Sequence, residues 1–273
     1  MTTMAHAFAD SRTMLRRQLL HLRRYPSLTG FLIGMPVVFL LLFAYVFGGT
    51  LGAGIGGGRS AYVNYLTPGI LLFTMAGAAA GTAISVAMDM TEGIVDRFRS
   101  MAIARISLLT GHVLGSLVQN FLALLAVLAV ALLIGFRPNA TAIEWLCVLG
   151  VLTATAFALT WFAVALGMAA DSVETASNTP MFLSLLPFLG SGFVPTDTMP
   201  AGLRTFAEYQ PFTPIIETLR GLLLGSAIGT SGITALAWCA GISLGSYVWA
   251  RRRYNQRAAQ NHGAATAPPR RDR

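Results

Sequence analysis

"MTEGIVDRFRSMAIAR" occupies residues 90–105 and carries five charges, on Glu92, Asp96, Arg97, Arg99 and Arg105. On either side lie apolar runs, at about 64–88 and about 107–135, each longer than the roughly 20 residues that cross a bilayer core as helix. A charged interruption between two such runs belongs in water, at a membrane face. The runs are therefore separate spans, and the fold class is an all-α polytopic membrane protein. Drawn as a helix, the stretch places Glu92, Asp96 and Arg99 at i, i+4 and i+7 on one face, and Ile94, Phe98 and Met101 on the other. That charged face is either solvated, with internal pairs worth only about 0.2–0.5 kcal/mol each, or the handle by which a cytoplasmic partner pushes on the membrane domain.

Composition agrees with the span count. Of 273 residues, 55% are hydrophobic and 11% charged, with a mean hydropathy of +0.64. A soluble domain carries roughly 25% charged residues, so a soluble fold is excluded. All nineteen basic residues are arginine. Without lysine there is no P-loop lysine for nucleotide phosphates, no Schiff-base amine and no Ser-x-x-Lys nucleophile. The chain is therefore not expected to hydrolyse ATP by a P-loop of its own, and no catalytic residue, cofactor or metal site is read from it. Cys147 and Cys239 fall inside expected spans without ligand spacing and read as small core residues. His6, His21, His112 and His262 show no ligand spacing either.

Six spans are expected, at about 27–47, 64–88, 107–135, 142–169, 179–195 and 229–250. The fifth is short and proline-broken. The segment around residues 199–224, with Pro200, Pro211 and Pro214, is too interrupted to span and reads as a re-entrant or surface hairpin. With the N-terminus inside, fifteen arginines fall in cytoplasmic segments and four outside, at Arg59, Arg137, Arg204 and Arg220. The positive-inside bias places both termini in the cytoplasm, and an even number of spans agrees. The first span follows five arginines and is too long for a signal h-region, so it fits an uncleaved anchor. The net charge of +8 then reflects topology and anionic lipid, and nucleic acid is a poor partner.

Residues 8–24 place Phe8, Leu15, Leu19 and Leu22 along one side with arginines opposite, the pattern of a basic amphipathic helix on the inner membrane surface. It either rests on lipid head groups or docks a partner. The basic tail, residues 251–273, is expected to be disordered from Arg257 onward. "GAGIGG" at 52–57 lacks the strand and acidic residue of a dinucleotide site and reads as a flexible outer loop. The Gly-x-x-x-Gly pairs Gly30/Gly34, Gly77/Gly81, Gly111/Gly115 and Gly241/Gly245 are expected to pack within the bundle first and between copies second. Glu144, Asp171 and Glu174 lie at span ends, where charge is tolerated. Glu217 and Arg220, at i and i+3, are expected to pair.

Three stretches carry a family resemblance: "EGIVDRFRSMAIARISLLTGHVL" (92–114), "GMAADSVETAS" (167–177) and "FLGSGFVPTDTMPAGLRTFAEYQPFTPIIETLRGLLLG" (188–225). With them the chain, over about residues 20–250, resembles the ABC-2 type permeases, the membrane subunits of ATP-binding cassette exporters. It is most similar to the daunorubicin/doxorubicin-resistance group. The resemblance implies that Glu92, Asp96, Arg97, Phe98 and Arg99 form a cytoplasmic coupling helix, with residues 1–26 as a connecting helix beside it. It implies that Pro195, Pro200, Pro211, Pro214, Glu217 and Arg220 belong to an external hairpin over the exit. It also implies two copies of a separate ATP-binding subunit holding ATP and Mg²⁺, and a second permease copy, as homodimer or paired paralogue. The sequence departs from the family pattern at Ala102, where proline is usual, at His112, where a basic residue is frequent, and at Ser116, near which an acid is frequent.

The function so implied is export of a hydrophobic or amphipathic substrate, such as a drug, antibiotic or lipid, across the bacterial plasma membrane. The alternatives are an ion-coupled secondary transporter, which calls for intramembrane acids and inverted repeats, and a polytopic enzyme or scaffold, which as an enzyme calls for clustered His, Asp or Cys at one face.

Overall fold

The computed structural model describes residues 26–91, 105–170 and 172–266. Segment 8–24 and the residues Glu92, Asp96, Arg97, Phe98 and Arg99 lie outside the described residues. Every regular element among the described residues is helical. In chain order these are α1 (Pro26–Leu41), a π-helical stretch (Leu42–Phe47), α2 (Gly48–Gly54), α3 (Arg59–Thr91) and α4 (Arg105–Leu133). Then follow α5 (Ala142–Ala169), α6 (Val173–Asn178), α7 (Met181–Leu185), a 3₁₀ turn (Thr196–Thr198), α8 (Ala201–Tyr209), α9 (Phe212–Leu224) and α10 (Ser231–Thr266).

Among the described residues, five helical stretches are long and apolar enough to cross a membrane: Gly30–Gly54, Arg59–Met88, Gly115–Leu133, Ala142–Ala169 and Ser231–Arg253. The 28 residues of α5 rise about 42 Å, more than the roughly 30 Å hydrocarbon core. Outward-facing side chains on these helices are themselves apolar, including Phe31, Leu125, Ile143, Leu146, Ile233 and Leu244. Water gives no reason for that arrangement, whereas lipid does.

Helix α3 is the hub, packing against α1, α2, α4, α5, α6, α7 and α9. It buries Leu66, Ile70, Leu72, Met75, Ala76 and Ala83 fully. Its buried threonines cost little, because each bonds a carbonyl one turn back: Thr67 donates to Val63 O at 2.7 Å and Thr74 to Ile70 O at 2.8 Å. Thr82 lies 3.1 Å from Ala78 O and 2.8 Å from Ser116 Oγ on α4. Thr82 and Ser116 thus form a neutral hydroxyl pair between α3 and α4. Small residues set the spacing to α5, where a Cβ on Gly167 would strike Ala83 O and the Val86 side chain.

Two ends of the bundle can be told apart. Val86 of α3, Val113 of α4, Met168 of α5 and Ala250 of α10 cluster at one end. At the other, the Arg137 N–H donates to Asn64 Oδ1 at 2.9 Å and the Asn139 N–H to Leu223 O at 2.8 Å. The first end carries the connection between Thr91 and Arg105. The second carries α8 and α9.

The structure departs from the sequence reading in several places. The expected span 179–195 is not one helix: α6 and α7 are short, and residues 186–193 run as consecutive turns. Pro180 and Pro187 each remove a helical donor, and Gly190 and Gly192 add freedom where no side chain fits. Helix α10 runs from Ser231 to Thr266. No proline stands between Arg251 and Thr266 to stop it. "GAGIGG" is the end of α2 and the tight turn that closes it, with the Gly57 N–H on Gly52 O at 2.9 Å and Gly56 at φ +77°. Gly30, Gly34, Gly81, Gly241 and Gly245 would meet nothing within 4 Å if they carried a Cβ, so these motif glycines are not close-packing points among the described residues. Cys239 is buried 3.6 Å from the Thr155 hydroxyl, whereas Cys147 is exposed rather than in the core.

The π-helical stretch aligns three aromatic rings. An α-helix advances four residues by slightly more than one turn, and a π-helix, at about 4.4 residues per turn, by slightly less. One step of each brings Phe39, Phe43 and Phe47 back onto one line, with ring centroids 6.3 Å and 5.4 Å apart. Phe73 of α3 and Phe188 and Phe193 of the turn segment close around them, Phe188 lying stacked on Phe193 at 4.1 Å.

Candidate functional site

The site lies where the proline-rich hairpin meets the start of α3. Each proline begins an element. Pro195 caps the 3₁₀ turn, Pro200 caps α8, Pro211 caps α9, and Pro214 sits in the first turn of α9. Proline is tolerated there because the first helical N–H groups have no intrahelical acceptor. Helix α9 ends at Gly225, at φ +73°, a left-handed cap that glycine adopts without a Cβ clash.

The two arms differ in role. Helix α8 is largely exposed, with Arg204 donating to Glu208 at 2.7 Å on its surface. Helix α9 buries Phe212, Ile215, Ile216, Leu219 and Leu223 against α3, α5 and α10. The segment expected as a cap is therefore half surface and half core.

Pro68 opens the α3 side of the junction. Its missing N–H leaves the Asn64 carbonyl without its usual helical donor and loosens that turn. Around this turn three contacts tie α3 to the segment before the hairpin. Tyr62 OH donates to Phe193 O at 3.1 Å. Arg220 Nη2 donates to Tyr65 O at 3.2 Å and Ser191 O at 2.6 Å, with its guanidinium 3.7 Å over the Tyr65 ring. A Cβ on Gly69 would overlap the backbone of Gly192.

Behind these, Gln210 Nε2 donates to Leu186 O at 2.9 Å and lies 3.4 Å from Thr213 Oγ1, which accepts the Ser191 N–H at 3.3 Å. A Cβ on Gly190 would strike both Gln210 and Thr213. Three buried polar atoms here have no partner among the described residues: Ser191 Oγ, Gln210 Oε1 and Arg220 Nε.

Glu217 and Arg220 do not pair. Glu217 accepts from Ser231 Oγ at 3.1 Å, joining α9 to the start of α10, while Arg220 turns to α3 and Ser191. Residues i and i+3 share a helix face, but a long guanidinium with five donors reaches carbonyls on neighbouring segments as readily as a side chain on its own helix. Glu144 is consumed locally: it accepts from the Thr141 N–H at 2.6 Å in a capping box that starts α5. Glu174 lies in the first turn of α6 near its Ser172 cap, and the hydrogen bonds from its own backbone N–H and then Ser172 hold its carboxyl below the usual range.

The profile of the ABC-2 type transporter family matches residues 10–224, a range that includes this junction and all the hairpin residues. The chain belongs to the ABC-2 type transporter family. Among its relatives is the daunorubicin resistance ABC transporter permease protein DrrB1 of Streptomyces coeruleorubidus, 28% identical over 82% of this chain and 78% of that one. The probable doxorubicin resistance ABC transporter permease protein DrrC of Mycobacterium tuberculosis is 22% identical over 81% of this chain and 78% of its own. The doxorubicin resistance ABC transporter permease protein DrrB of the same organism is 28% identical over 70% of this chain and 68% of its own.

Within this ABC-2 chain the structure gathers one predicted hairpin residue, Arg220, into the junction and leaves the prolines as helix starts. Sequence reasoning did not find Asn64, Tyr65, Gly69, Ser191, Gln210 and Thr213. One signal was present. Pro68 inside an otherwise unbroken apolar run frees a carbonyl and marks a place where other groups must come close.

Proposed function

We propose that this chain is the transmembrane permease of an ATP-binding cassette exporter that moves hydrophobic or amphipathic cargo across the bacterial plasma membrane. ATP and Mg²⁺ are held and ATP hydrolysed by two copies of a separate subunit, and a second permease, identical or paralogous, completes the pathway. The family match over residues 10–224 carries this reading. Because relatives so matched are named for daunorubicin and doxorubicin resistance, the cargo class is drug-like or lipid-like.

The course of the broken segment supports six crossings. It leaves the α5 end beside Val86 and reaches Tyr62 at Phe193, a path along some 24 residues of α3, or about 36 Å. With that crossing both termini lie in the cytoplasm. The connection between Thr91 and Arg105 then shares the inner face with Arg251, Arg252 and Arg253, which favours the coupling role for Glu92, Asp96, Arg97, Phe98 and Arg99. The hairpin of Pro195, Pro200, Pro211, Pro214, Glu217 and Arg220 becomes external. Glu144 and Glu217 are engaged in helix-end contacts, which disfavours a proton relay and with it the ion-coupled alternative.

The test is co-expression with the ATP-binding subunit. Asp96→Arg combined with Arg97→Glu is expected to abolish complex recovery and permease-stimulated ATP hydrolysis while leaving the thermal midpoint of the isolated permease unchanged. Survival of both would overturn the coupling assignment. ATP-dependent uptake of a fluorescent amphiphile into inside-out vesicles is expected, and its absence would overturn export.

A further inference from the structure

Three unsatisfied polar atoms of the junction group around one residue. Ser191 is 2% exposed and Gln210 is 5% exposed, and each leaves a buried oxygen, Oγ and Oε1, without a partner among the described residues. The Ser191 peptide links the group. Its N–H reaches Thr213, beside Gln210, and its carbonyl reaches Arg220. Arg220 is half-buried, has no carboxylate within ion-pair distance among the described residues, and holds its Nε covered and unbonded. An orphaned buried polar atom is costly, and a guanidinium held by two carbonyls and the Tyr65 ring, with no carboxylate in ion-pair contact among the described residues, keeps donors free for an anion. Phe188 and Phe193, three residues before and two after Ser191, belong to the aromatic cluster with Phe39, Phe43 and Phe73.

We propose that this junction is a subsite for an amphipathic oxyanion. The guanidinium of Arg220 and the hydroxyl of Ser191 donate to a phosphate or carboxylate oxygen, Gln210 Oε1 accepts from a neighbouring hydroxyl of the same molecule, and the phenylalanines lie toward its apolar body. The ligand chemistry is an oxyanion on a hydrocarbon tail, whether of a membrane phospholipid or of cargo. Judged by its bond to Tyr65, Arg220 lies about six residues, or about 9 Å, along α3 from its start at Arg59. That is within reach of head groups from the bundle end. The inference relies on the membrane-permease reading only for placing the chain in lipid.

The experiment uses the purified full-length permease in phosphatidylcholine nanodiscs, without nucleotide or ATP-binding subunit. Its thermal midpoint is titrated with phosphatidylglycerol in the disc and, separately, with added dodecyl phosphate, inorganic phosphate and dodecylamine. Phosphatidylglycerol or dodecyl phosphate is expected to raise the midpoint, and inorganic phosphate and dodecylamine to leave it. A response to phosphatidylglycerol alone assigns the subsite to membrane lipid, a response to dodecyl phosphate alone assigns it to cargo, and a response to both assigns it to either source. Arg220→Gln is expected to weaken the apparent affinity about 10- to 100-fold, the worth of a charge-assisted hydrogen bond. Arg220→Lys keeps the charge without the fork and is expected to lose less. Ser191→Ala is expected to weaken affinity several-fold with the ligand-free midpoint intact, so it decides the matter if Arg220→Gln does not fold. A wild-type midpoint indifferent to both oxyanionic amphiphiles, or raised equally by dodecylamine, overturns the proposal, as does a Ser191→Ala protein that titrates like wild type. Loss of ATP-driven transport would overturn the exporter reading and leave this titration unchanged.

Discussion

Gly69→Ala tests the packing of the broken segment on α3. The added Cβ would stand 2.7 Å from Gly192 Cα and 2.8 Å from its carbonyl carbon. Ordinary carbon contacts lie at about 3.5–4.0 Å, so the segment must retreat by about 1 Å. Backbone lies on both sides, so no rotamer can absorb the change. The retreat would stretch the 2.6 Å bond from Arg220 to Ser191 O and the 3.1 Å bond from Tyr62 to Phe193 O beyond hydrogen-bonding range. Interhelical hydrogen bonds in membranes average about 0.6 kcal/mol, whereas overpacking costs about 1–3 kcal/mol, so the steric effect is the larger. Alanine returns up to about 1 kcal/mol through helix propensity. The net loss is about 1–3 kcal/mol, or roughly 2–12 °C in thermal midpoint for a chain of this size. Gly81→Ala, on the same helix with nothing within 4 Å, is the control and should be neutral or slightly stabilising. Thermal unfolding in nanodiscs measures both. A Gly69→Ala protein as stable as its Gly81→Ala counterpart would refute the close approach of Gly69 to Gly192.

Thr141→Ala removes the hydroxyl half of the capping box at α5; about 1 kcal/mol of stability is expected to go, read as a lowered thermal midpoint with transport retained. Glu208→Ala breaks a pair on the surface of α8 whose side chains are 49% and 42% exposed, and the midpoint should not move measurably, because solvent screens such pairs. Gly190→Ala drives a methyl into Gln210 and Thr213 and should destabilise more than Gly202→Ala on α8, which meets nothing within 4 Å; equal midpoints would count against the buried network. For topology, a membrane-impermeant thiol reagent applied to whole cells carrying single cysteines in a Cys147→Ser, Cys239→Ser background should label Arg204→Cys. Arg99→Cys should label only after permeabilisation, and the reverse pattern would invert the assigned orientation.

Hydropathy and residue type are local properties, and they were enough for the class of molecule. The runs now seen as α3, α4 and α5 were legible as spans, with α5 expected at 142–169 and found there, because a bilayer demands length and apolarity from each helix separately. Prolines at 200 and 211 marked an interrupted segment, which the structure resolves as the starts of α8 and α9, and a proline-broken fifth segment was legible too. The π-helical stretch in the first span was not, since "LFAYVF" is as good a sequence for an α-helix; it is fixed by where Phe188 and Phe193 press against Phe39 and Phe43. Nor was the partner of Arg220. The nearest carboxylate in sequence is Glu217, but the acceptors are carbonyls 155 and 29 positions away. Which glycines matter was equally hidden: the Gly-x-x-x-Gly pattern pointed to Gly30, Gly34, Gly241 and Gly245, while contact falls on Gly69, Gly167 and Gly192. The sequence by itself determined what each segment must be in a membrane, because that depends on length and apolarity within one continuous stretch of chain. The tertiary structure alone decided which backbone meets which, because a close approach depends on two surfaces brought together from distant parts of the chain.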